Sequence, residues 1–141
     1  MLGRNSYTQE EFDKAKASVD KQLAAYKKLA KAIDAEGDAK VKAALEDFEP
    51  LFFNQMTLAL DRYFVHRVRN VSGKDGNPLN EVELIVDSLL SDGALRANNV
   101  IKLVPADSVL KLDFGDRIAL TAAEFERLAK AFFSELEARF L

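Results

Sequence analysis

The stretch from Leu51 to Asn70, which reads LFFNQMTLALDRYFVHRVRN, constrains the fold more than any other part of the sequence. No charged residue stands between Glu49 and Asp61, and the first half of the stretch has no continuous polar face. A helix that is apolar on nearly all sides belongs in the interior of a fold, with other elements packed around it. We therefore expect residues 51–70 to form a buried central helix.

Length and composition indicate one soluble domain that spans residues 1–141. A hydrophobic fraction of 48% and a charged fraction of 30% are ordinary for a globular protein. The net charge of −3 argues against general nucleic-acid binding, which relies on a basic surface. The sequence contains no cysteine, which excludes thiol nucleophiles and thiolate metal sites. Without a signal-peptide core or an apolar run of membrane-span length, we expect a cytoplasmic protein with no membrane association.

The first predicted helix is long and amphipathic. Thr8 and Glu11 can form a capping box, and the helix that they begin ends near Gly37. Apolar residues recur at heptad spacing along it, at Phe12, Ala15, Val19, Tyr26, Leu29 and Ile33. Such a heptad pattern is typical both of a bundle core and of a dimer seam, and the sequence leaves both interpretations open.

Two further helices are expected in the middle of the chain. Asp38 can cap a second helix, and Pro50 then requires either a kink or a tight break before the central helix. After a loop of sequence VSGKDGNP, another helix begins at Asn77 or at Asn80, and Gly93 can close it.

The segment that follows Gly93 has the alternating pattern of β-strands. Residues 100–104, 109–112 and 117–120 alternate between apolar and other side chains, and Pro105 separates the first two runs. They predict a small antiparallel hairpin that lies on the helices, because an isolated pair of strands is marginal in water. A capping box at Thr121 then begins the C-terminal helix.

The predicted fold is therefore mainly α. It is an irregular four- to five-helix bundle around the buried central helix, with a small antiparallel β hairpin before the C-terminal helix. All of these elements belong to the single helical domain.

A cluster of basic side chains occupies the second half of the central stretch. On a helix, Arg62, His66 and Arg69 share one face. Arg67 lies on a neighbouring row, and Lys74 follows in the loop. The dipole favours cations at a helix C-terminus, which is a purely structural explanation of the cluster. The alternative is an anion site in which these five residues bind the phosphate or carboxylate of a small metabolite.

The sequence offers little support for other chemistry. His66 is the only histidine, so a multi-histidine metal site is excluded, and no helix has the Glu-x-x-His spacing of di-iron bundles. The loop lacks the P-loop motif, and Pro78 together with the missing closing Glu excludes a calcium loop. No serine lies in a nucleophile elbow. We expect no catalytic residue, no metal and no cofactor.

From YFVHRVRNVSGKDGNPLNEVELIVDSLL onward, the sequence resembles a group of small hypothetical proteins from high-GC Gram-positive bacteria. The resemblance continues through VIKL, SVLKL, GDRIALTAAEF and AFFSELEARF and covers residues 63–141. It implies a bacterial cytoplasmic origin and assigns no catalytic residue.

Two functional hypotheses follow. The first is a non-enzymatic domain that acts as a homo-oligomer, such as a dimer, or binds a protein partner, and the heptad helix motivates it. The second is a binder of a small anionic metabolite, or an enzyme acting on one, that uses the basic cluster. Neither hypothesis involves nucleic acid or a membrane.

Overall fold

The computed structural model describes residues 3–141, and five α-helices and one short 3-10 helix lie in that part of the chain. The helices are α1 (Gln9–Glu36), α2 (Ala39–Arg62), α3 (Arg69–Ser72), α4 (Pro78–Leu89) and α5 (Ala122–Phe140). The 3-10 helix is Pro105–Asp107. The prediction of a mainly helical bundle is therefore confirmed.

The helices begin at the residues that their capping patterns indicate. Thr8 and Thr121 begin α1 and α5 with complete capping boxes. Asp38 caps α2 by accepting hydrogen bonds from two N–H groups of its first turn, at 2.9 and 3.2 Å. Asn77 caps α4 in the same way, which decides between Asn77 and Asn80 as its start.

The heptad residues of α1 are used mainly inside the molecule. Phe12 meets Phe133 of α5 edge-on at 5.5 Å, and Tyr26 stacks on Phe52 of α2 at 5.8 Å. Leu29 differs from these neighbours because half of its side chain is exposed. The heptad of α1 is therefore chiefly a bundle core, and Leu29 is the position that it leaves uncovered.

The prediction of one helix over residues 51–70 is wrong in its bounds. Helix α2 runs through Pro50 and ends at Arg62, so the tight break considered at Pro50 does not occur. The chain then turns, and His66 adopts a φ of 63°, which lies far from α-helical values. The short helix α3 follows as a separate element.

The predicted central position of that helix is also wrong, because α5 packs against each of the other four α-helices. Helix α2 buries one face only, and Leu51 on its outer side is 66% exposed. Helix α4 is the most enclosed, since eight of its twelve residues are buried. The absence of charged residues over 51–60 therefore did not mean that every side of helix α2 is buried.

The predicted β hairpin is not present among residues 3–141. That part of the chain contains only isolated bridges, which pair Arg4 with Arg67, Asp75 with Lys102, and Ala94 with Arg117. The run 100–104 therefore pairs with the loop before α4 and not with the run 109–112, as the 2.8 Å hydrogen bond from the Lys102 N–H to the Lys74 carbonyl shows.

Side chains from helices take the place of the missing strand partners. The carboxylate of Glu81 on α4 accepts hydrogen bonds from the N–H groups of Val109 and Leu110, at 2.8 and 3.0 Å. Asn54 on α2 donates to one backbone carbonyl and accepts from one N–H in the segment 118–120, at 2.9 and 3.2 Å. These extended segments thus satisfy their buried backbone groups without pairing with each other.

Candidate functional site

The five basic residues of the predicted anion site do not form one cluster. Because α2 ends at Arg62 and the backbone turns at His66, Arg62, His66 and Arg69 do not share a helix face. Arg67 and Arg69 are both paired with carboxylates of the protein itself. Two of the three guanidinium groups that were expected to bind a ligand are therefore engaged in holding the fold.

Arg67 fastens the turn after α2. Its guanidinium donates to the Asp61 carboxylate at 2.8 Å and to the Phe64 carbonyl at 3.0 Å. Only 6% of its side chain is exposed, and the guanidinium carbon lies 5.4 Å from the centroid of the Phe132 ring of α5. A charge buried this deeply needs its partner to offset the loss of hydration.

Arg69 joins α3 to α4. Its guanidinium donates to the Glu83 carboxylate at 2.6 Å, to the Asn80 side-chain oxygen at 3.0 Å and to the Gly73 carbonyl at 3.1 Å. These three bonds account for the arginine without any ligand.

Arg62 and His66 line a shallow cavity of about 290 Å³. Asp61 and Glu83 line the same cavity, so its wall contains carboxylates as well as cations. Lys74 is exposed and is not among the residues of the wall. The structure thus brings three of the five predicted residues, Arg62, His66 and Arg67, together in a cavity of mixed charge.

Asn80 organises the loop before α4, and its role was missed in the sequence. Its side chain is fully buried, and its amide nitrogen donates to the carbonyls of Ser72, Gly73 and Asp75 at 3.2, 3.1 and 2.8 Å. The sequence suggested only a helix cap for an asparagine in NPLN. Its actual role is to satisfy three loop carbonyls from inside the protein.

Glu81 is a second buried polar residue that the sequence did not reveal. Burial raises the pKa of its carboxyl above the ordinary value, although the two backbone N–H groups that it binds favour the charged form. Apolar side chains that include Ile85 and Leu95 line a small space beside it. Its contacts make Glu81 an anchor for the chain around residue 109.

Helices α1 and α2 pack against each other and form a helical hairpin with Gly37 and Asp38 at its turn. A different surface lies on the outer side of this α1–α2 hairpin. Large apolar side chains are exposed there, namely Leu29 (50%), Val41 (46%), Phe48 (48%) and Leu51 (66%). Ala44 lies between them along α2 and is exposed as well. We call these five residues the hairpin face.

Aromatic stacking holds the middle of the hairpin face in place. The ring of Phe48 stacks on that of Phe52 at 5.6 Å, and Phe52 stacks on Tyr26 at 5.8 Å. Burial, with Glu49 beside it, raises the pKa of Tyr26 to about 12, so this phenol stays neutral across the physiological range. The exposed ring of Phe48 is thus the outer end of a stack anchored in the core.

An open groove between α1 and α5 has a volume of about 680 Å³. Its floor contains the buried side chains of Phe12, Val19 and Phe133, and its rims carry both lysines and carboxylates. This lining gives no set of polar groups that favours one class of small ligand.

The part of the chain that the structure describes contains no metal-binding group and no helix that could span a membrane. No group of three or more His, Asp or Glu side chains within residues 3–141 is placed to hold a metal ion. No helix in the same range has both the length and the apolar composition that crossing a membrane requires.

Comparison of the chain with protein-family models, with curated proteins and with solved structures finds no match.

Proposed function

We propose that this protein is a non-enzymatic interaction domain that binds a protein partner through the hairpin face. The observation that carries the proposal is the exposure of Val41, Phe48 and Leu51 along one side of α2, with the exposed Leu29 on the helix α1 that packs against it. Exposed apolar groups that form a patch mark binding surfaces, whereas single ones are ordinary. The resemblance of residues 63–141 to small bacterial proteins supports a cytoplasmic setting for this role.

The stacked ring of Phe48 suits it to be the anchor of such an interface. Aromatic side chains dominate the energetics of many interfaces, above all when they sit near the centre of the contact. A ring that is already held by Phe52 loses little rotational freedom on binding, which lowers the entropic cost of association.

The charges around the hairpin face suit the rim of an interface. Lys28 of α1 and Lys40 and Asp47 of α2 are exposed and adjoin it in sequence. Polar residues at the edge of a contact stay hydrated while the apolar centre becomes dry.

Site-specific photo-crosslinking tests this proposal and does not require the partner to be identified beforehand. A photoreactive phenylalanine analogue is placed at Phe48, or as a control at Phe114, which is 43% exposed but lies in the loop before α5 and is not part of the face. We expect position 48 to give a discrete crosslinked species in cells that express the chain, and position 114 to give none. Equal adducts at both positions, or none at either, would contradict the proposal.

Anion binding is the second candidate function, and one observation favours it: Arg62 and His66 line the same 290 Å³ cavity. Because His66 is the only histidine, its ring signals in an NMR titration need no assignment. If the cavity binds anions, adding phosphate will shift these signals in the wild type and not in Arg62→Ala. Signals unmoved by phosphate and by a panel of anionic metabolites would remove this candidate.

A further inference from the structure

We infer that the occupant of the hairpin face is a second copy of this chain, with the two α2 helices paired antiparallel about a two-fold axis between Phe48 and Leu51. The inference rests on the proposed function, because it requires the hairpin face to be an interface. It adds the identity of the partner and the register of the contact.

The outward side of α2 has the spacing of a helix–helix seam. Its positions are alternately three and four residues apart, and all but the half-buried Leu58 are exposed: Val41, Ala44, Phe48, Leu51, Gln55 and Leu58. We call them the α2 seam. The seam runs for about 26 Å along the helix. The fully buried Phe53 and Leu60 each lie two residues from a seam position, which places them on the opposite side of the helix.

The α2 seam is complementary to itself when the second helix runs in the opposite direction. Phe48 then meets Leu51 of the second copy, Ala44 meets Gln55, and Val41 meets Leu58. Each contact pairs one of Val41, Phe48 and Gln55 with one of Ala44, Leu51 and Leu58. The large side chains of Phe48 and Leu51 meet at the centre. A parallel pairing would instead place Gln55 against Gln55, which would bury two amides together.

The position of Leu29 fits the same axis. Tyr26 of α1 stacks on Phe52 of α2, so these two residues lie at the same level of the hairpin. Leu29 and Glu49 are each three residues nearer to the turn between the helices and therefore also lie level with each other, at the centre of the α2 seam. Phe52 marks the side of α2 that faces α1. In an antiparallel pair, these sides of the two α2 helices lie along the same edge of the contact. The two α1 helices therefore approach along that edge, and Leu29 nears its own copy. This contact would cover the one apolar heptad position of α1 that is half exposed.

The charges that flank the α2 seam are compatible with this register. Lys40, Asp47, Asn54 and Asp61 occupy the flanking positions on the side away from α1, where the Asn54 side chain is also bonded to the backbone of residues 118–120. The antiparallel register brings Lys40 near Asp61 of the second copy and Asp47 near Asn54, so no two like charges meet there. Asp61 keeps 27% of its side chain exposed beside its own Arg67.

Disulfide mapping tests the register directly, because the native chain contains no cysteine. Ala44→Cys and Gln55→Cys replace exposed residues that meet in the proposed pair, so a mixture of the two variants should form a mixed disulfide under mild oxidation. Each variant alone should not, because its two copies lie about 16 Å apart along the axis. A matched control mixes Leu90→Cys with Phe114→Cys, both exposed and neither part of the α2 seam.

The competing results are distinct. A disulfide formed by Ala44→Cys alone would overturn the antiparallel register in favour of a parallel one. Crosslinking of the mixture no faster than that of the control would overturn the proposed dimer.

Analytical ultracentrifugation tests whether the protein dimerises, separately from whether the hairpin face binds a partner. We expect wild-type protein to dimerise with rising concentration, and Phe48→Glu to associate at least roughly tenfold more weakly. Leu90→Glu, a charge at a more exposed site, should associate like the wild type. Circular dichroism checks that both variants are folded. Wild-type protein that stays monomeric at high micromolar concentration overturns the dimer, and crosslinks from Phe48 to another protein would then still support the proposed function.

Discussion

At the scale of single residues, Glu81 accepts backbone hydrogen bonds of an extended segment that has no partner strand. Its two carboxylate oxygens accept from the adjacent N–H groups of Val109 and Leu110, so neither group is left without an acceptor. The carboxyl is almost completely buried, and burial raises its pKa above the ordinary 4.5. The folded state therefore binds a proton at Glu81 more tightly than the unfolded chain does.

This difference sets the pH dependence that Glu81 contributes. Where the native state binds more protons, stability falls as the pH rises. The contribution of Glu81 is complete below pH 4.5 and is lost as the pH rises through the raised pKa of the folded state. Glu81→Gln cannot ionise, so we expect its deficit in free energy of unfolding relative to wild type to shrink as the pH rises from 4.5 towards neutrality.

Urea denaturation of both proteins across this pH range measures the difference, and other titrating groups cancel in the comparison. A deficit that grows with pH would mean that the two backbone N–H groups outweigh burial and lower the pKa of Glu81.

The basic residues predict a sharp contrast between Arg67 and Arg62. Arg67→Ala leaves Asp61 without its partner in a largely buried position and should lower the free energy of unfolding by about 3 kcal/mol. Arg62→Ala removes an exposed side chain and should change it by less than about 0.5 kcal/mol. Chemical denaturation of the ligand-free variants measures both values. A loss at Arg62 equal to that at Arg67 would mean that Arg62 also has a structural role.

At the scale of elements, α2 contains a proline where a helix is usually weakest. Pro50 lacks an N–H, so the carbonyl of Glu46 has no donor from the backbone one turn later. We expect Pro50→Ala to restore that hydrogen bond and raise the free energy of unfolding by about 1–3 kcal/mol. Thermal and urea denaturation measure the change. A destabilised variant would show that the packing of the half-buried proline ring outweighs the missing bond.

Helix starts could be predicted from the sequence, because a capping residue acts on its own first turn. Thr8, Asp38, Asn77 and Thr121 each bond backbone groups within three residues, so local sequence determines them. The β hairpin could not be excluded in this way. Its extended segments are satisfied by Glu81, which lies 28 residues before Val109 in the chain.

The helix face that the basic residues were predicted to share is absent for a related reason. A shared helix face required α2 to continue past Arg62, but the backbone turns at His66. Arg69 then finds Glu83, fourteen residues away, which no local spacing rule connects to it. The residues were basic as expected, and their partners came from distant parts of the chain.

At the scale of the whole molecule, the two long helices divide their apolar surface between two tasks. Helix α1 turns most of its heptad inward, against α2 and α5, while α2 covers the core with Phe53 and Leu60 and keeps a second apolar stripe outside. Burying that stripe against its own copy would produce a layer of four antiparallel helices, with the α5 core on either side.

The most direct test of the proposed dimer is a distance measured between the two copies. A spin label on Lys40→Cys, an exposed position in the first turn of α2, is unique because the native chain has no cysteine. The antiparallel pair places the two labelled backbone sites about 28 Å apart along the helix axis, so pulsed electron resonance should report a distance near that value. A much shorter distance would indicate parallel helices, and no intermolecular distance at high protein concentration would contradict the dimer.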